Sequence, residues 1–151
     1  QDSEFVRFLV NLTRAFDPTR PVLDSSGWTH VDGLCELTDC HNYEQDPEKF
    51  AAQLDANGYP MFVSEFGGIR SSDDASGWGK ARAEGETEFL ARYEGLVKAL
   101  LSRPGVYAFC YTQLTDVEQE QNGLYTYERK PKFDPAIIRK INTARAAIET
   151  E

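Results

Sequence analysis

The stretch Pro60-Met-Phe-Val-Ser-Glu-Phe-Gly-Gly68 constrains this chain most. Met61, Phe62 and Val63 form a short apolar run between two helix-patterned segments, the mark of a strand buried on both faces of a parallel sheet. Glu65 then stands at the strand's C-terminal end, and in α/β folds that end carries the chemistry. Gly67 and Gly68 let the backbone turn sharply beside the carboxylate. A strand-end Glu can equally do no more than meet solvent or a lysine. Its meaning depends on what the neighbouring strand ends bring beside it.

The rest of the chain supplies those neighbours. Residues 3–17 read as a helix capped by Ser3, with Phe5, Phe8, Leu9, Leu12 and Phe16 on one face. Pro21–Ser25 reads as a short strand ending in polar groups. The connection 26–33 is too short and polar for a good helix. It carries Trp28, either a ligand platform or a lid folded onto the core, and His30. Leu34–Thr38 reads as the next strand, with Asp39, His41 and Tyr43 clustered at its end. Asp46-Pro47 starts a helix that Asn57-Gly58 closes. After the Glu65 strand, residues 69–85 read as a long Gly-rich loop containing Arg70, Trp78 and Lys80. A helix then spans 86–103, buried through Phe89, Tyr93, Leu96, Val97 and Leu100. Val106–Leu114 is the strongest strand pattern, ending in Gln113 and Asp116. An acidic loop, a short hairpin around 124–127 and a helix from Asp134-Pro135 complete the order, the last with Ile137, Ile138, Ile141, Ala144 and Ile148 as its stripe. Alternating strands and helices imply a parallel sheet with right-handed crossovers.

Composition limits the partners. A chain of 151 residues is long enough for one domain with a core. Net charge −9 without a basic cluster argues against nucleic acid and against anionic membranes. No apolar run approaches the roughly 20 residues of a spanning helix. Cys35, Cys40 and Cys110 fit neither a disulfide framework nor a zinc pattern, and are expected as free thiols in or near the core.

Four segments taken together resemble the C-terminal half of the catalytic barrel of glycoside hydrolase family 2: "RPVLDSSGW", "DCHNYEQDPEKF", "PMFVSEFGG" and "FCYTQLTDVEQEQNGLYTYERKPKFD". That family contains β-galactosidases, β-glucuronidases and β-mannosidases. The resemblance implies an α/β fold that is half of a (β/α)8 TIM barrel, strands five to eight with their helices, over residues 1–151. It implies a retaining β-glycosidase fragment with Glu65 as catalytic nucleophile and Tyr43 as its hydrogen-bond donor, with His41 beside it. Trp28, Arg70, Tyr111, Gln113 and Asp116 are the implied substrate-binding residues. It implies no metal and no cofactor. The family's acid/base is the Glu of an Asn-Glu pair, and no Asn-Glu dipeptide occurs here. The expected partners are therefore a carbohydrate substrate and the missing parts of a longer chain, the other half of the barrel and N-terminal sandwich domains. Self-association is expected as well, because an open half-barrel exposes strand edges and apolar side chains such as Val22, Val63 and Phe109.

Two other functions fit the same residues. One is a non-catalytic half-barrel that binds carbohydrate or assembles with another chain. The other is a complete small hydrolase pairing Glu65 with Asp116 or Glu118, which would need a closed pocket built from four strands.

Overall fold

The computed structural model describes residues 2–150 except 56, 57, 59, 73 and 75. It is a mixed α/β structure whose centre is a parallel sheet of β1 (Thr38–Asn42), β2 (Met61–Gly67) and β5 (Val106–Thr112), in spatial order β1-β2-β5. Helices α2 (Pro47–Ala52) and α3 (Glu86–Leu101) make the crossovers, and α4 (Pro135–Asn142) follows β5. The N-terminal helix α1 spans Ser3–Phe16.

The main core lies between the sheet and helices α2 to α4. Phe50, Val63, Phe66, Phe89, Leu96, Val97 and Leu100 are fully buried there. The Phe89 ring stacks on Phe133 at 4.0 Å, and Phe66 meets Phe50, Tyr93, Phe109 and Tyr111. Each such aromatic contributes roughly 1.5–3 kcal/mol by leaving water. Tyr93 satisfies its hydroxyl by donating to Asn142 Oδ1 at 2.9 Å. Asp46 and Asp134 cap α2 and α4 through their carboxylates, each followed by Pro in the first helical turn.

β2 carries a bulge. Cys40 pairs with Val63 and His41 with Glu65, so Ser64 is skipped against β1; against β5, Val63 and Phe66 pair with Phe109 and Tyr111. The extra residue falls in β2 relative to both neighbours, immediately before Glu65. Bulges of this kind re-aim side chains next to functional sites.

Several sequence expectations need correction. Asp2, not Ser3, caps α1, accepting from the Glu4 and Phe5 amides. Val6 and Val10 are the buried residues of α1, in a small cluster with Leu34, while Phe5, Phe8, Leu9, Leu12 and Phe16 face outward. Pro21–Ser25 is not a strand. The Asp24 carboxylate there binds the Val31 amide, and the Asp24 amide binds Cys35 Sγ, so side chains replace a ladder. The next strand begins only at Thr38, where its amide reaches Pro60 O, so Asp39 and His41 lie within β1 rather than after it. α2 ends at Ala52; of the predicted Asn57-Gly58 stop, Asn57 lies outside the described residues. Residues 69–85 are not all loop: β3 (Ile69–Arg70) and β4 (Ala81–Arg82) pair in parallel. β5 stops at Thr112, before a cis Thr112–Gln113 peptide. Around 124–127 there are isolated bridges rather than a hairpin. α4 stops at Asn142, which leaves Ala144 outside it and Ile148 in a separate 3-10 turn, Ala147–Thr150. Cys35 and Cys40 are half-buried free thiols, but Cys110 is exposed. Val63 is fully buried, not an open apolar surface.

Candidate functional site

Parallel pairing explains why Glu65 has company. His41 is the register partner of Glu65 across β1 and β2, and Tyr43 follows β1 by one residue. The Tyr43 hydroxyl donates to Glu65 Oε2, and His41 Nδ1 lies 3.3 Å from the same oxygen. Nδ1 is thus the ring nitrogen that faces the carboxylate. The Glu65 side chain remains 38% exposed while that of His41 is 10% exposed. Burial, together with the hydrogen bond and charge of Glu65 and the charge of Glu120, pushes the Tyr43 phenol up to about 12, with a Thr112 hydrogen bond opposing. Tyr43 therefore stays a proton donor at neutral pH. Gln45 fixes its backbone by donating from Nε2 to Tyr43 O and Gly67 O, each at 2.8 Å.

The loop after α1 forms one rim. Ser26 Oγ sits 2.9 Å from His41 Nε2 and 3.1 Å from Ser64 Oγ, joining the bulge to the imidazole. The Trp28 ring meets His41 edge-on at 5.5 Å and is 75% exposed. Gly27 lets the loop come this close: its φ is +94°, and a Cβ there would lie 2.6 Å from the His41 ring. The Gly27 amide donates to Asp39 Oδ2 at 2.6 Å.

The other rim comes from residues 68–82. The Lys80 amide donates to Gly68 O at 2.9 Å. Its ammonium then lies 4.8 Å from the Tyr43 ring centroid and 5.9 Å from that of Trp78. Arg70, expected in the pocket, instead ties this segment together: its guanidinium donates to the carbonyls of Ser72, Asp74 and Gly77.

The other expected residues lie apart from this cluster. The Tyr111 ring turns into the aromatic core against Phe66, Phe89 and Tyr93, and burial pushes its phenol far up. Its hydroxyl donates to Asn122 O at 3.1 Å, and a Cβ on Gly67 would fall 2.2 Å from its ring. Gln113 donates to Glu120 O, and Asp116 accepts from Lys132 Nζ at 2.7 Å and the Gly123 amide at 2.8 Å. Both side chains thus fold the acidic loop upon itself. The structure gathers Glu65, His41, Tyr43 and Trp28, adds Ser26, Ser64 and Gln45, which the sequence did not mark, and brings in Lys80, noted there only as part of the 69–85 loop. Only Lys80, a cation in the loop after the Glu65 strand, carried any signal of its role. Among the described residues no group of three or more His, Cys, Asp or Glu could hold a metal. Chemically, the cluster is a carboxylate held by one hydroxyl donor, with an imidazole beside it, and open on the other side.

The fold is similar to those of several solved glycoside hydrolases. An exo-β-agarase superposes with a TM-score of 0.71 at 14% identity, over 93% of this chain and 22% of that one. A GH2 β-galacturonidase from Eisenbergiella tayi gives 0.69 at 16% identity, over 95% and 30%. A β-D-glucuronidase of Dictyoglomus thermophilum gives 0.68 at 19% identity, over 97% and 30%. The chain thus spans less than a third of the length of each. No family model and no curated protein matches the sequence.

Proposed function

We propose that this chain is the nucleophile-bearing half of a (β/α)8 catalytic barrel in a retaining β-glycosidase of the glycoside hydrolase family 2 type, residues 1–151 being a fragment of the active unit. The observation that carries this reading is Glu65 in the C-terminal half of parallel strand β2, held by the Tyr43 hydroxyl and open on its other side. The likeness to glycoside hydrolases, which covers most of this chain and little of theirs, supports it. In this mechanism the Glu65 carboxylate attacks the anomeric carbon as the bond to the leaving oxygen breaks. A carboxylic acid from outside this chain protonates that oxygen. Water, deprotonated by the same group, then cleaves the glycosyl ester. Tyr43 and His41 aim Glu65, and Trp28 supplies an aromatic face for the sugar. Arg70, Tyr111, Gln113 and Asp116 serve by shaping the loops and sheet around the pocket.

The test uses the full-length parent. A 2-deoxy-2-fluoro β-glycoside should label Glu65, read by mass spectrometry of the digested protein, and Glu65→Gln should remove turnover by orders of magnitude with little change in stability. The 151-residue chain alone should turn over aryl glycosides negligibly. A label on Asp39 or Asp116, or an inverted product anomer, overturns the assignment. No labelling and no turnover, with carbohydrate bound, would favour a non-catalytic binding half-barrel.

A neutral sugar is the proposed substrate, because Glu118 and Glu120 make the loop after β5 acidic and Glu120 acts on Tyr43. A uronide is the second reading: Lys80 stands over Tyr43, and two similar structures are named for uronidase activity. The kcat/KM ratio of galactoside to galacturonide separates the two.

A further inference from the structure

The Trp28 rim hangs on two buried carboxylates and one histidine. The side chains of Asp24 and Asp39 have no exposed surface (0%), while the His30 ring between them is 31% exposed. His30 Nδ1 is 2.7 Å from Asp24 Oδ1, and Nε2 is 3.8 Å from Asp39 Oδ2. Asp24 also accepts from the Val31 amide at 2.5 Å, and Asp39 from the Gly27 amide at 2.6 Å. The two carboxylates therefore hold the middle and the far end of the loop that carries Ser26 and Trp28. We propose that His30 is a positioning residue for the Glu65 site, its imidazolium bridging Asp24 and Asp39 and so holding Ser26 and Trp28 against His41.

The chemistry follows from charge. Nδ1 makes the hydrogen bond to Asp24, whereas Nε2, 3.8 Å from Asp39 Oδ2, is beyond hydrogen-bond reach and acts on Asp39 by its charge, which only the imidazolium carries. Asp39 Oδ1 is buried with no hydrogen-bond partner, so that carboxylate has little else to offset its desolvation. Among the described residues, His30 is the cation within ion-pair reach of Asp24 and Asp39. The other groups near the ring do not substitute for it. The Cys35 thiol donates to Asp24 Oδ1 at 3.4 Å and is itself pushed up by burial; Asp32, another acid, lines the adjoining cleft; Arg14 is paired with Glu36; and the Arg7 guanidinium donates to the Asp32 carbonyl.

Burial by itself pulls the imidazolium down, but the hydrogen bond and charge of Asp24, the Gly27 carbonyl and the charge of Asp39 outweigh it, so the net direction is up. Asp24 is pushed up by burial and pulled lower, on balance, by its bonds from His30, Val31 and Cys35. Raising pH through the elevated His30 value removes the bridge and leaves two buried anions around a neutral ring. Asp39 then loosens its hold on Gly27, and Ser26 and Trp28, which flank Gly27, leave His41.

This inference rests on the Glu65 reading for its importance, but its test does not need turnover. The chain has two histidines and two tryptophans, so 15N-histidine NMR and Trp28 emission in a Trp78→Phe background resolve each group during a pH titration. The expected result is a His30 midpoint above the ordinary histidine value of about 6.5. The His41 Nε2 resonance and Trp28 emission should change at that same midpoint. Asp39→Asn should move all three midpoints down together, and His30→Gln should abolish the alkaline change in Trp28 and His41. A Trp28 emission and His41 resonance that stay flat while His30 titrates in the wild-type chain would overturn the proposal, whether or not the variants fold. In the full-length parent the alkaline limb of kcat/KM should shift with Asp39→Asn. Coupled titration in a parent without glycosidase turnover would sink the Glu65 reading and leave the His30 bridge standing.

Discussion

The sheet with its helices α2 to α4 and the N-terminal region of α1 with residues 20–37 are held together by opposite means. The first is ordered by apolar contact, with Phe50, Phe66, Phe89, Leu96 and Leu100 all at 0% exposure. The second has a small apolar cluster of Val6, Val10 and Leu34 and is organised by charged side chains on backbone groups: Asp24 on Val31, Asp39 on Gly27, and Arg14 on Leu34 O at 2.7 Å. Apolar burial is insensitive to pH, whereas carboxylate and imidazole contacts are not. The candidate site lies on the seam. Glu65 and Tyr43 belong to the apolar region, and Ser26 and Trp28 come from the polar one. If the His30 bridge acts as proposed, the Tyr43 side of the site stays fixed with pH while the Ser26 and Trp28 side is released.

The largest effect should come from breaking the apolar region. Phe89→Ala removes a ring that stacks on Phe133 and contacts Tyr93 and Tyr111. Its expected cost is about 3–5 kcal/mol, read as a lower urea midpoint, with loss of structure throughout. If only residues 20–37 gained amide exchange, the two regions would not differ as described.

A smaller and local effect is expected in the polar region. Asp24→Asn weakens the hold on Val31 and His30 and should cost about 1–3 kcal/mol. Amide exchange should rise within residues 24–37 and stay unchanged in α3. Uniform loss of protection across α3 would mean that the N-terminal region is part of one cooperative unit with the core.

The pH dependence follows with its sign. The folded-state value of His30 is raised, so its contribution is complete below the unfolded value and is lost as pH rises through the folded one. The folded-state value of Asp24 is lowered, so its contribution is present above the unfolded value and is lost as pH falls through the folded one. Local stability of residues 24–37 should thus peak between those limits, while the protection of α3 amides, taken relative to the intrinsic exchange rate at each pH, stays flat within the window. Stability of the loop that rises on the alkaline side would contradict the His30 bridge.

How much of this was legible in the sequence divides along the same seam. The apolar region was read well, because burial imprints period and composition on β2, α3 and β5. Glu65, Tyr43 and His41 were readable as neighbours, because parallel strands bring their C-terminal ends together. The bulge at Ser64 was not, since nothing in "FVSEF" distinguishes a skipped residue from a paired one. Arg70, Gln113 and Asp116 were pocket residues only by the family resemblance, and their side chains hydrogen-bond to loop groups, whose paths sequence pattern does not give. Tyr111, likewise named by the resemblance, has its ring in the aromatic core, since strand alternation gives two faces but does not say which is covered by helices. The Ser26 and Lys80 contacts depend on loop paths set by hydrogen bonds between residues distant in sequence, which leave no local pattern.

The smallest expected effect on folding concerns α1, and it sharpens the comparison furthest. The α1 sequence predicts one buried stripe, but the helix buries Val6 and Val10 and leaves Phe5 at 58%, Phe8 at 60% and Phe16 at 84% exposure. These rings contribute little to the fold of this chain, since they have not left water. An exposed apolar stripe of this size favours association. Phe8→Ser combined with Phe16→Ser should therefore change the unfolding free energy by no more than about 0.5 kcal/mol per site. The wild-type chain should show a scattering mass that rises with concentration, and the double variant should show less of that rise. Val10→Ser is the contrast: it should unfold the N-terminal cluster without curing association. If the double variant lost several kcal/mol instead, the stripe would be covered within the chain in solution, and α1 would have to pack on a face other than Val6 and Val10. If association persisted undiminished, the sticky surface would lie elsewhere, with the exposed Tyr107 on β5 the next place to look.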